Sequence, residues 1–462
     1  MPLKTIIFVG VFGACCAGAV FQPLWGIVAY AADYIIGPQR QWWERPIQHL
    51  GIRYSYVLAI VTAIGVALNY GKLRFGKKLL HRHEILLLLF LGLVWVLRSV
   101  NEPTELYTIV DHPTVKLAKV MIFGLMLTHV VTDMKKLRVF MWTLVVCTLI
   151  LGLQAYTARR YVGRLETVGG ADFAESNFLA VFVGAMVPLI GVLFLQSRWP
   201  GKLFCLGTGA FAVNAIILTR SRGALVGIAL GLIPAVFLAP KKLRLKVAAG
   251  LLVGSLGAVY LMDTGFVDRM KTIDRSGEQR DASSQLRLDL WETSLAMVKD
   301  HPLGIGPGNF FQVVGRYRPE LERRDAHSTY FRCLTELGIP GFLLFLTICF
   351  SAMRTAMRAS RRAERIRSET GTALRLLGYG FTVALCTFLA ASLTVTTIYT
   401  EALWWLLLVP VCLERAVANH AEETENSLAK DAEAKATVGD QAGGRKRRRS
   451  SKPVLGRAVP SR

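Results

Sequence analysis

The stretch SNFLAVFVGAMVPLIGVLFLQ (176–196) contains no Asp, Glu, Lys, Arg or His. A hydrocarbon core of about 30 Å takes about 20 helical residues to cross, and this run meets that length. No water inside that core satisfies backbone N–H and C=O groups, so such a segment crosses as a helix. Towards the N-terminus, comparable apolar runs cover 54–70, 84–99, 116–131 and 139–156. Towards the C-terminus they cover 203–218, 223–239, 246–262, 330–352, 374–395 and 402–413. Residues 5–36 add an apolar region with a soft break at Gln22-Pro23, read either as two helices or as one span plus a half-helix. The pattern predicts an all-α polytopic integral membrane protein with about twelve transmembrane helices.

Composition agrees. The chain of 462 residues is 53% hydrophobic and only 19% charged, where soluble domains carry about a quarter charged residues. Its net charge of +23 invites a nucleic-acid reading. The basic residues, however, sit in short connections between apolar runs and in the tail, as membrane topology and anionic lipid require. No nucleic-acid partner is expected. The eight cysteines lie inside or at the edge of apolar runs, without zinc-ligand spacing, and read as small packing residues.

Orientation follows from the loops. The connections at 72–82, 135–138, 198–202, 241–246 and 354–375 are rich in Lys and Arg, and they alternate with those at 101–113, 159–175, 219–222 and 263–328. Placing the basic set in the cytoplasm puts 263–328 outside, as one large periplasmic loop in a Gram-negative source. The domain reading is therefore N-terminal transmembrane helices (1–262), periplasmic loop with short helices (263–328), C-terminal transmembrane helices (329–416) and a disordered cytoplasmic tail (417–462).

Polar residues that carry chemistry gather on the outer side. TRSRG (219–223) leaves almost no room for a loop, yet holds Arg220 and Arg222 against the positive-inside trend. Guanidinium matches phosphate oxygens bidentately; the alternative is a tight turn whose arginines snorkel to headgroups. In DAHS (325–328), Asp325 is a candidate N-cap, which places His327 in the first helical turn. There the helix dipole and Arg316, Arg318, Arg323 and Arg324 disfavour imidazolium. A neutral histidine suits a general base, although an interfacial histidine bonded to backbone explains it as well. A short amphipathic helix starting near Ser283 is expected to show Leu288, Trp291, Leu295 and Val298 on one side. Arg287 lies one turn before Trp291, aimed into the site or solvated. HPLGIGPGNF (301–310) is either a backbone cradle for an anion or a plain turn between helices. It is not a nucleotide loop, since it lacks the Gly-Lys-Ser/Thr ending. Scattered acids without ligand spacing predict no metal site.

These residues resemble a known family. Arg287, Trp291 and HPLGIGPGNF, then His327-Ser328-Thr329-Tyr330 and ELGIPG (336–341), look like the signature of the O-antigen ligase/polymerase superfamily. TRSRG resembles its arginine-bearing turn, and Arg164 followed by ESNFLA (175–180) resembles its outer loop and following helix. The likeness covers roughly 159–413 in order; the first 150 residues or so add only compatible topology.

The resemblance implies a glycosyltransferase of the bacterial inner membrane, working at the periplasmic face without metal or other cofactor. Its donor is a glycan on undecaprenyl pyrophosphate, and its acceptor a lipid A–core or another cell-surface or exopolysaccharide glycan. It implies that His327 is the base on the acceptor hydroxyl and that Arg222 and Arg287 meet the pyrophosphate. Arg220, Arg164 and Asn177 are implied substrate-binding residues. The run His327-Ser328-Thr329-Tyr330-Phe331 is closer to ligases associated with exosortase and exopolysaccharide systems than to those with His-Asn at this place. Rival readings are an O-antigen or exopolysaccharide polymerase, a protein O-oligosaccharyltransferase and, from another class, a polysaccharide transporter. A transporter is expected to show repeat symmetry and ionisable residues at the bilayer midplane.

Overall fold

The computed structural model describes residues 2–73, 79–101, 107–158, 165, 167–262 and 282–449. Arg164 and residues 263–281 of the long loop lie outside the described residues. Among those described there are helices and connections but no strand. The helices in chain order are α1 (Leu3–Phe21), α2 (Leu24–Ile36), α3 (Tyr54–Leu68), α4 (Arg82–Val100), α5 (Pro113–Val130), α6 (Met134–Thr157), α7 (Ser176–Gln196) and α8 (Trp199–Thr219). They continue with α9 (Arg222–Leu238), α10 (Arg244–Leu261), α11 (Ala282–Asp300), α12 (Phe310–Tyr317), α13 (Thr329–Arg365), α14 (Glu369–Ala391) and α15 (Glu401–Arg449).

Among the described residues nine helices are long and apolar enough to cross a membrane, and α3 and α9 are shorter apolar helices. The protein is thus an all-α polytopic membrane protein. The break at Gln22-Pro23 separates α1, long enough to cross, from the 13-residue α2, since Pro23 has no N–H with which to continue the α1 ladder.

Enclosure varies steeply across the bundle. The best-buried windows belong to α14 (78%) and α7 (72%), whereas α10 has none of its window buried. Helices apolar all round occupy both places, because lipid is as apolar as a packed interior and separation comes from packing rather than polarity. Close packing is clearest between α9 and α14: a Cβ added at Gly227 would meet the Ala391 backbone, and one at Gly231 the Thr387 backbone. Small residues let these two backbones touch, so Arg222, the first residue of α9, is held beside the connection that follows α14.

Two expectations need correction. The last helix runs on to Arg449, where an unstructured tail was expected from 417. Ala, Glu and Lys are good helix formers, and Asn419 and His420 bond Thr132 O and Ser368 Oγ on the bundle. The second concerns Asp325, which does not cap a helix: α13 begins at Thr329 with Ser328 as its N-cap, so His327 precedes the first turn. Helix α11 buries Leu290, Ser294 and Met297 with part of Trp291, and leaves Leu288 and Leu295 exposed. It packs on α12 and the start of α13, around Ile305, Phe310, Val314, Leu321 and Ala326. The long loop therefore carries its own small core.

Candidate active site

The site is built around a break in α13. Gly338 (φ 66°, ψ −174°) interrupts the helix, two residues before Pro340. A break frees carbonyls of the preceding turn, which must find other donors. The glycine loop supplies them: Ile305 N donates to Thr335 O (3.0 Å), Gly306 N to Glu336 O (3.0 Å), and Ile339 N returns to Pro302 O (2.9 Å). Gly304 (φ 96°) and Gly306 (φ 90°) adopt the left-handed backbone this needs. A Cβ on Gly304 would lie 2.6 Å from Glu336 O. Of the two readings of HPLGIGPGNF, the turn prevails. Its amides at Ile305, Gly306 and Phe310 are already bonded within the protein, so they are not an anion cradle.

The clasp fixes what precedes the helix. His327 sits at φ 47°, left-handed backbone that costs a non-glycine residue on the order of 1–3 kcal/mol unless its surroundings impose it. They do. Its N–H reaches Asp325 Oδ2 (3.3 Å), Trp291 Nε1 donates to Ala326 O (3.1 Å), and the Trp291 ring stacks on Phe331 at 5.2 Å. After it, Thr329 N donates to Ser392 O (3.0 Å) and Val395 O (3.1 Å) in the α14–α15 connection. Ser328 Oγ is buried with no hydrogen-bond partner among the described residues.

The same connection brings in the arginines. A Cβ added at Gly223 would meet Thr394 Oγ1 at 2.5 Å and Arg287 Nη1 at 3.0 Å. The α11 guanidinium therefore lies against the residue that follows Arg222, with Thr394 alongside. Arg287 and Arg222 are both partly buried. Arg220 takes the left-handed position (φ 49°) closing α8. Asn177 is second-hand to this turn: its Oδ1 accepts from Ser221 Oγ (2.7 Å), and Ser221 caps α9 through Ala224 N (3.4 Å). Its Nδ2 donates to Glu175 Oε1 (2.9 Å). Leu165 N bonds Leu218 O (3.3 Å), so the described end of the outer loop also reaches the turn. The structure thus gathers Arg222, Arg287, Arg220 and Asn177 around one turn, with the His327 segment tied to the same connection.

Residues 207–346 match the family model described as O-Antigen ligase. The match supports the O-antigen ligase superfamily over that segment. No curated protein matches the chain. The segment runs from α8 through the arginine turn, the long loop and the broken start of α13, while Asn177, Leu165 and the α14–α15 connection lie outside it. That likeness implies a glycosyltransferase-like enzyme of the membrane, handling a lipid-linked glycan and an acceptor.

Within this ligase-family segment one residue escaped the sequence reading. Arg332, 3% exposed, donates from Nη1 to Asp325 Oδ1 (2.6 Å) and from Nε to Glu336 Oε1 (2.6 Å). Glu336, fully buried, also accepts from Phe310 N (3.2 Å) and from Tyr399 Oη (2.7 Å). Burial, and then the Glu336 carboxylate, push the Tyr399 phenol well above its usual range, so it stays a donor. The guanidinium also lies 4.4 Å from the Phe311 ring centre. One buried cation thus ties together the His327 segment, the glycine loop and the α14–α15 connection. The signal was available: Arg332 and Glu336 stand at i and i+4 on one helix.

Proposed function

We propose that this protein transfers a glycan from undecaprenyl pyrophosphate to a hydroxyl of a lipid or glycan acceptor, at the periplasmic face of the bacterial inner membrane. The observation that carries the reading is the approach of Arg287 to the Gly223 position (3.0 Å from Nη1 to an added Cβ), which brings the guanidinium of one helix to the turn that carries Arg222 on another. Guanidinium pairs bidentately with phosphate oxygens. Leaving-group charge that develops in the transition state is what such preorganised cations stabilise.

The reaction is then a direct displacement. The acceptor oxygen forms a bond to the anomeric carbon while the bond from that carbon to the pyrophosphate oxygen breaks. The pyrophosphate leaves with the electron pair, towards Arg222 and Arg287. His327 takes the acceptor proton; general-base help of this kind is worth about 10²- to 10⁴-fold. Ser328 Oγ is available to a substrate oxygen. Arg220, Arg164 and Asn177 support substrate binding, Asn177 through Ser221. One displacement inverts the anomeric centre.

The test is purified full-length protein with undecaprenyl-pyrophosphate-linked glycan and candidate acceptors, read by mass spectrometry and anomeric NMR. A new glycosidic product of inverted configuration is expected. Retention would overturn the single displacement, and the absence of any product with every acceptor class would remove the transferase reading in favour of transport.

A further inference from the structure

A cavity of about 910 Å³ lies away from the arginine turn, at α1, α2 and α6. Helix α2 packs on both α1 and α6, and all three line the space, so it is a groove with α2 as its floor. Phe8, Phe12 and Trp25 line it from the α1–α2 side and Ile150 and Leu153 from α6. The outer face of α1 is bare: its window is only 11% buried, and Ile7 and Val11 are more than half exposed. In a bilayer such a groove opens sideways to lipid chains.

One end differs chemically. Lys4 and Arg40 reach it, beside Trp42, whose ring lies 5.4 Å from Lys4 Nζ. Neither cation has an ion pair with any described residue. The lone carboxylate among the lining residues, Asp33, is about one turn below this end, near the close of α2. Indoles with basic side chains are the usual residues of the headgroup layer, and a basic patch there favours anionic lipid.

We infer that this groove is a binding site for an anionic phospholipid, its acyl chains along α2 between α1 and α6 and its phosphate at Lys4 and Arg40. The site is coupled to the ligase segment by contact. Its rim includes Thr167 and Val168; Gly170 N donates to Ile35 O at the end of α2 (3.0 Å), and Leu165 N to Leu218 O, one residue before Thr219. A lipid in the groove meets, at its headgroup end, the loop that braces the arginine turn. The inference does not depend on the transfer chemistry.

Native mass spectrometry of the full-length protein, titrated with phosphatidylglycerol or phosphatidylcholine of matched acyl chains, tests it. One phosphatidylglycerol is expected to bind roughly thirtyfold more tightly than phosphatidylcholine, the effect of two basic side chains near the headgroup plane. The Lys4→Glu/Arg40→Glu pair should reduce that preference to near unity, and so, in smaller steps, should Lys4→Gln and Arg40→Gln alone. Ala32→Phe, which fills the groove floor, should abolish the tightly bound lipid of either kind. Equal affinity for the two lipids in the wild type, or a preference that survives these substitutions, would overturn the site.

Discussion

Arg332 illustrates how a single side chain can govern a site that it does not enter. Its charge is buried between Asp325 and Glu336, and removing one partner of such an arrangement leaves the others desolvated without compensation. Arg332→Met is expected to lower stability by about 3–5 kcal/mol, read as a lower melting temperature in detergent, with loss of transfer as the His327 segment loosens. His327→Ala is expected to behave differently. It removes the acceptor's base and should cost about 10²- to 10⁴-fold in kcat with melting and membrane insertion unchanged. An unaltered kcat would take the imidazole out of the mechanism. For Arg222, replacement by Ala should cost about 10²- to 10³-fold, as for other preorganised donors. Arg222→Lys should recover only part, because an ammonium keeps the charge but loses the two-pronged geometry. Full activity in Arg222→Lys would mean that charge alone matters there.

Among the elements, the broken helix α13 and the glycine loop interlock. Gly338 holds a backbone region open essentially to glycine alone, and a Cβ there would run into the Leu303 carbonyl carbon. Gly338→Ala is therefore expected to destabilise by about 1–3 kcal/mol from backbone strain, with contact strain added, and to reduce transfer. Gly257→Ala in α10 is the control: an added Cβ there meets nothing within 4 Å, so melting and transfer should stay at wild-type values. If both variants melt alike, the clasp does not hold the helix. The apolar runs and most of their ends were legible, since length and charge distribution decide where a chain can cross lipid. The orientation of short elements was not. Period groups Leu288, Trp291, Leu295 and Val298 on one side of α11, but it is packing against α12 and α13 that turns Leu290, Ser294 and Met297 inward. Likewise Asp325 reads as a cap in one dimension, and only the fold shows Arg332 drawing it elsewhere.

For the whole molecule, the bundle grades from the enclosed α7 and α14 to the bare α1 and α10, with the loop's small core resting at the start of α13. Deletion from the source organism separates the two transfer readings within the superfamily. Loss of a ligase should leave full-length polymer on the lipid carrier, seen as a glycan ladder on undecaprenyl pyrophosphate. Products that stop at one repeat would identify a polymerase.

The amino-acid sequence by itself determined that the chain crosses a membrane many times as helices, and which residue types could meet a pyrophosphate. Both follow from local quantities, hydrophobic length and the chemistry of guanidinium and imidazole. Only the tertiary structure decided that Arg287 comes to Gly223, that the glycine loop caps a broken helix rather than an anion, and that Arg332 ties these parts together. Those outcomes depend on contacts between residues dozens of positions apart, such as Gly223 with Arg287 and Glu336 with Tyr399. No pattern along the chain encodes the relative rotation of the helices that makes those contacts.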